Sequence, residues 1–113
     1  MDTNCIFVNI KRSKIKTLID TGARKSCINK FLVNKLQLSV QPVEDDYDCM
    51  YAAKGSEVPV IGTVLVDIDI NGLRMATTLQ VMPNLTHDLI LGIDFLTDNN
   101  AVIDTRNGLV TFH

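Results

Sequence analysis

Two Asn-Gly dipeptides, Asn71-Gly72 and Asn107-Gly108, each lie between β-prone apolar runs and set the frame for the fold. A two-residue hairpin turn needs positive φ at both central positions, and Asn followed by Gly accepts that most readily. Ahead of the first dipeptide runs Val58 to Ile70, where Val64, Val66, Ile68 and Ile70 alternate with Thr63, Asp67 and Asp69. A period of two places the apolar set on one face, so the segment reads as a half-buried strand. With a two-residue loop, Ile70 faces Leu73 and Asp69 faces Arg74, an opposite-charge cross-strand pair, and Leu73 to Met82 is the return strand. The second dipeptide joins Ala101 to Asp104 with Leu109 to Phe112 as a C-terminal hairpin.

The N-terminal third repeats the pattern. Cys5 to Ile10 is apolar, Lys11 to Lys14 reads as a polar turn, and Ile15 to Ile19 is again rich in branched residues. Ile28, Phe31, Leu32 and Leu36 keep helical spacing, and Asn29 is placed to cap a helix from Lys30 to about Leu36. A second short helix is expected from about Ile93 to Asp98. Gln41 to Asp48, polar and acidic, is the one obvious long loop. The expectation is a single all-β domain over residues 1–113, mainly antiparallel, with one or two short helices.

Composition narrows the partners. A chain of 113 residues, 46% hydrophobic and 21% charged, has room for one core. Its net charge of −2 and scattered basic residues lack the footprint of a nucleic-acid binder. No run reaches the length of a membrane span, and the first residues do not read as a secretory signal, so a soluble, non-membrane domain is expected. Cys5, Cys27 and Cys49 are an odd number with no C-x-x-C spacing, which fits a reducing, cytoplasmic compartment better than a disulfide framework. His87 and His113 are too isolated to join them in a metal site.

The chemistry concentrates in Leu18-Ile19-Asp20-Thr21-Gly22-Ala23, where an acidic residue follows a branched apolar run and precedes Thr-Gly. Such a position, at the end of a buried strand and the start of a tight turn, can hold a carboxylate in a partly dry site. Alone, the segment reads more readily as an Asp accepting backbone hydrogen bonds in a turn. Downstream, Asp88-Leu89-Ile90-Leu91-Gly92-Ile93-Asp94-Phe95-Leu96 is an apolar strand that ends in glycine and passes into a short helix. Together with the capped helix and Ala53-Lys54-Gly55-Ser56, these segments resemble the retropepsins, most of all the peptidase domains of gypsy-type LTR retrotransposons and related endogenous or domesticated retroelements. The resemblance runs from about Phe7 to Phe112. Ile103-Asp104-Thr105-Arg106 repeats part of the motif, but Arg106 stands where the turn needs glycine.

The resemblance implies a closed-barrel-like single lobe, a two-fold homodimer and an active site shared between subunits, with Asp20 of each chain as the catalytic pair and no cofactor or metal. It implies that Thr21 interlocks with the neighbouring subunit, that Gly22 lets substrate backbone approach, and that Ala23 completes the loop. About residues 47–57 match the flap, with Ala53, Lys54 and Gly55 near its tip; Arg24, Asp88 and Ile90 match substrate-binding positions, and Leu91, Gly92 and Asp94 structural ones. The implied activity is cleavage of peptide bonds, with a retroelement polyprotein as substrate and a retroelement particle as one setting. Two other readings share the fold: a catalytically silent dimerisation module, and the peptidase domain of a ubiquitin-linked shuttle protein. Arg24 and Lys25 depart from the pattern, since those positions are often acidic; Arg24 either pairs with Asp94 or is a solvated charge. Ala23 lacks the hydroxyl that pepsin-like enzymes commonly place there, so the pair is expected to work best at about pH 5 to 6.5 rather than in strong acid.

Overall fold

The computed structural model describes residues 5–42, 49–51, 57–104 and 109–112. The first hairpin pairs β1 (Cys5–Ile10) with β2 (Ser13–Ile19), antiparallel, with Val8 opposite Ile15. Val8, Ile10, Ile15 and Ile19 turn inward, as does Thr17, whose hydroxyl donates to the Ile15 carbonyl at 3.1 Å. The turn is shorter than the expected Lys11 to Lys14: only Lys11 and Arg12 leave the ladder, at φ of 50° and 68°. Left-handed backbone costs a non-glycine residue about 1–2 kcal/mol. Offsetting contacts come from the same residues and their neighbours. Lys14 Nζ lies 4.5 Å from the centroid of the Phe7 ring, and Lys11 Nζ donates to the Leu36 carbonyl at 3.3 Å.

β3 (Cys27–Asn29) leads into α1 (Lys30–Lys35), where Asn29 Oδ1 accepts from the Phe31 N–H at 3.1 Å and Leu36 is the C-cap. β4 (Gln41–Pro42) follows, and the rest of the expected loop, 43–48, lies outside the described residues. β5 (Cys49–Tyr51) pairs antiparallel with β6 (Glu57–Pro59). The expected strand from Val58 is therefore divided, and β7 (Gly62–Ile70) begins after Val60 and Ile61. The break has a cause. Val60 is buried in a small cluster with Cys27 and Met82, while Ile61 N–H donates to the Val81 carbonyl at 2.9 Å.

β7 and β8 (Leu73–Met82) form the long hairpin in the expected register, Ile70 opposite Leu73 and Asp69 opposite Arg74. Asn71 and Gly72 have φ of 52° and 89°, which is why this dipeptide closes the turn. Asp69 Oδ1 accepts from the Gly72 N–H at 2.9 Å and so braces the turn from within. β9 (Leu89–Leu91), α2 (Ile93–Asp98), β10 (Ala101–Asp104) and β11 (Leu109–Phe112) complete the chain. Asn107-Gly108 lies outside the described residues; the strands beside it pair with Asp104 opposite Leu109.

Seven strands order as β1-β2-β9-β3-β8-β7-β4, and a contact of Asn9 with Asp69 joins β1 to β7, closing the sheet into a barrel. Its core is filled by Ile28, Ile68, Leu79, Leu89, Leu91 and Phe95 among others, each at most 2% exposed. The β10–β11 hairpin is a separate two-stranded sheet that packs Ala101, Ile103, Val110 and Phe112 on that core, with Phe112 edge-to-face on Phe95 at 5.8 Å. Among the described residues no helix is long and apolar enough to cross a membrane.

Candidate active site

Alternation along β2 decides which way its last residue points. Ile15, Thr17 and Ile19 face the core, which carries Leu18, and after it Asp20, to the opposite face. β9 runs parallel to β2 with Leu18 opposite Ile90, and antiparallel to β3 with Cys27 opposite Ile90. Leu18, Ile90 and Cys27 therefore share one face at the end of the strands where Asp20 emerges. Asp88, two residues before Ile90, is exposed, and its carbonyl accepts from the Asn29 N–H at 2.9 Å. Ile90 therefore sits across the sheet from Leu18, two residues before Asp20, while Asp88 lies two residues further back.

The Asp20 loop is tied down by three backbone N–H bonds. Asp20 N–H donates to the Leu91 carbonyl at 3.0 Å, continuing the parallel ladder one step past the strand. Ala23 N–H returns to the Asp20 carbonyl at 3.1 Å and closes a turn. Gly22 N–H donates to Asp20 Oδ1 at 2.8 Å, fixing the carboxylate's orientation. Thr21 and Gly22 are exposed, Asp20 and Ala23 half-buried.

Across from this loop, Leu91-Gly92-Ile93 makes the matching surface. Ile93 N–H donates to the Ala23 carbonyl at 2.8 Å, and Asp94 N–H to the Arg24 carbonyl at 3.3 Å. A Cβ on Gly92 would lie 2.5 Å from the Ala23 oxygen, a distance real atoms do not sustain, so the apolar-apolar-glycine string is a steric requirement of the Asp20 loop.

Asp94 does not pair with Arg24. Its Oδ1 accepts from Ser26 Oγ at 2.7 Å and from the Phe95 N–H at 2.8 Å, and its Oδ2 from the Ser26 N–H at 3.1 Å. Arg24 remains exposed. Ser26, fully buried, is the residue that the sequence did not single out: its Oγ also accepts from the Gly92 N–H at 2.9 Å, and its carbonyl from the Gln80 N–H at 3.0 Å. A lone serine before Cys-Ile carries no periodic signal, and its partners lie 66 and 68 residues away. Of the other candidates, Ala53, Lys54 and Gly55 fall outside the described residues.

The profile of the family described as "gag-polyprotein putative aspartyl protease" matches residues 6–98. The chain belongs to this family. Among solved structures, the retroviral protease-like domain of Ddi1 from Leishmania major superposes with a TM-score of 0.77 at 19% identity, covering 99% of this chain and 89% of that one. EIAV protease complexed with the inhibitor HBY-793 gives 0.68 at 24% identity, covering 83% and 85%. A retropepsin-like aspartic protease from Rickettsia conorii gives 0.63 at 21%, covering 88% and 75%. At these identities the likeness is one of fold. No match was found among curated proteins.

Two depressions, of about 560 Å³ beside Asn9 and Arg74 and about 450 Å³ beside Lys25 and Thr78, indent this retropepsin-like domain, and neither includes Asp20. Behind the Asp20 loop, Cys27 is 3% exposed, and its thiol donates to the Lys25 carbonyl at 3.3 Å. Burial, then the charges of Asp94 and Asp20, push its pKa from 9.0 up to about 12.

Two outcomes follow for this family member. Ser26→Ala leaves the Gly92 N–H without an acceptor and Asp94 without its hydroxyl donor, and is expected to lower unfolding stability by about 1–3 kcal/mol in urea titrations. A change within about 0.5 kcal/mol would contradict this role, being the size expected of a neutral surface position. For Cys27 the folded-state pKa lies above the unfolded one, so its protonated thiol contributes stability below pH 9.0 that is lost as pH rises towards about 12. Alkylation of the native protein near about pH 8 should spare Cys27 and modify half-buried Cys5 first. Modification of both at equal rates in the folded state would show that the thiol is not shielded.

Proposed function

We propose that the chain is one subunit of a homodimeric aspartic endopeptidase in which each subunit supplies Asp20 to a shared catalytic pair. The observation that supports this most is the different fate of two neighbouring carboxylates. Asp20 is held toward the open face by a single backbone donor, while Asp94 is turned into the loop and takes three donors. Of these two carboxylates Asp20 is the one left open for chemistry, and water activation by an aspartate pair needs a second Asp20. The exposed Thr21 fits a contact with the neighbouring loop. The β10–β11 hairpin, hydrogen-bonded to no other described strand, offers free edges for a sheet between subunits. Cys5 to Ile10 and Leu109 to Phe112 are the strands assigned to that interface.

Two carboxylates a few Å apart in a low-dielectric cleft do not both ionise, so the pair holds one proton between them. The ionised member takes a proton from a bound water, which attacks the peptide carbonyl. The protonated member donates to the developing oxyanion, and a proton then passes to the leaving amine. Asp88 and Ile90 wall the cleft from the β9 side. A retroelement polyprotein is the substrate that the gag-related family favours, and Cys5 and Cys27, neither of them in a disulfide, suit a reducing compartment.

The likeness to the Ddi1 domain over 99% of the chain favours a second setting for the same chemistry, as the peptidase module of a shuttle-type protein. A catalytically silent module is the weaker reading, because Asp20-Thr21-Gly22 is intact.

Asp20→Asn keeps the side chain's shape and removes its ionisation. Cleavage of a diverse peptide library should fall by about 10²–10⁴-fold or more with circular dichroism unchanged, and a statine-type transition-state mimic should block the parent. Turnover retained in Asp20→Asn would defeat the proposal.

A further inference from the structure

Arg24 and Lys25 are the two charged side chains between Asp20 and Ser26, both exposed and neither engaged by a hydrogen bond or ion pair among the described residues. Lys25 turns to the depression shared with Asp94 and Asp98 on the α2 side. Asp94, whose N–H donates to the Arg24 carbonyl, has its carboxylate engaged by Ser26 and the Phe95 N–H. Among the described residues no hydrogen bond or ion pair engages the Arg24 guanidinium, and the residue is exposed.

Its distance from the chemistry is bounded by the chain. Four residues span at most about 14 Å when fully extended. The bond from Ala23 N–H to the Asp20 carbonyl folds this stretch into a turn, so the separation is shorter. The Arg24 carbonyl is fixed to Asp94 N–H, which leaves the side chain as the loop's adjustable part. A peptide laid extended over Asp20 advances about 3.3 Å per residue. Side chains two or three positions from the scissile bond therefore pass within reach of the guanidinium.

We propose that Arg24 selects substrates carrying an acidic residue two or three positions from the cleaved bond, an inference that rests on the dimeric peptidase reading above. A carboxylate there can accept two parallel N–H bonds from the planar guanidinium, which an amide of the same shape does so less strongly. In a two-fold dimer the second Arg24 stands on the other side of the scissile bond, so the preference applies on both sides. The favoured substrate is an extended peptide with acidic residues flanking an apolar cleavage site, whose apolar part meets Leu18 and Ile90.

The test is a matched peptide series, with Glu, Gln or Lys placed singly at each of three positions on either side of one cleaved bond, and kcat/KM measured for the parent, Arg24→Glu and Lys25→Glu. The parent should favour Glu over Gln by about fivefold at one position on each side, with less preference at high salt. Arg24→Glu should reverse the order to favour Lys, and Lys25→Glu should keep the parent's order. Cleavage with no Glu preference, or a preference unchanged in Arg24→Glu, overturns this inference and leaves the peptidase reading intact. Absence of cleavage of every peptide by the parent overturns both.

Discussion

Where β9 passes into α2, Gly92 lies so close to the Asp20 loop that a Cβ there would meet the Ala23 carbonyl at 2.5 Å. The packing of the Asp20 loop against the β9–α2 junction depends on this approach. It lets Ile93 and Asp94 donate to successive carbonyls of the loop, and it places the Gly92 N–H against Ser26 Oγ. Asp94 then closes the arrangement by accepting from both donors of Ser26. A parallel pair of short strands, β2 and β9, holds this junction at the barrel's edge, with Ile19 and Leu91 buried beneath it. The carboxylate that emerges is oriented by a rigid backbone rather than by mobile side chains, which is the preorganisation that acid–base chemistry at a peptide bond requires.

The sequence made most of the fold legible because its signals are local. Alternation from Val64 to Ile70 and the φ demands of Asn71-Gly72 determine a hairpin whose register needs no tertiary information. The Asn29 cap is likewise a local hydrogen bond. Features that depend on distant partners were not legible. The turn at Lys11-Arg12 has no glycine or asparagine to announce it, and contacts with Phe7 and Leu36 support it from outside. The division at Val60 and Ile61 answers to Cys27 and Val81, on other strands.

The site divides in the same way. Asp20 and Gly92 are recognisable from short motifs, since a strand-ending acid and a strand-ending glycine each have a local reason to be there. Ser26 is not, because a buried serine is defined only by what satisfies it, here a backbone N–H and a carboxylate far along the chain. That same bond corrects the role open to Arg24. With Asp94 occupied, the arginine is left to face solvent rather than a neighbour, and its charge becomes available to whatever lies over the loop.

The central claim is that two Asp20 side chains from different subunits act as one unit, and subunit mixing tests it directly. Parent and Asp20→Asn chains are co-refolded at fixed total concentration and varying proportion, and peptide cleavage is measured after exchange is complete. A shared pair predicts that heterodimers are inactive, so activity falls with the square of the parent fraction, to about one quarter at equal amounts. A linear fall, to about one half at equal amounts, would mean that each chain acts alone and would contradict the account.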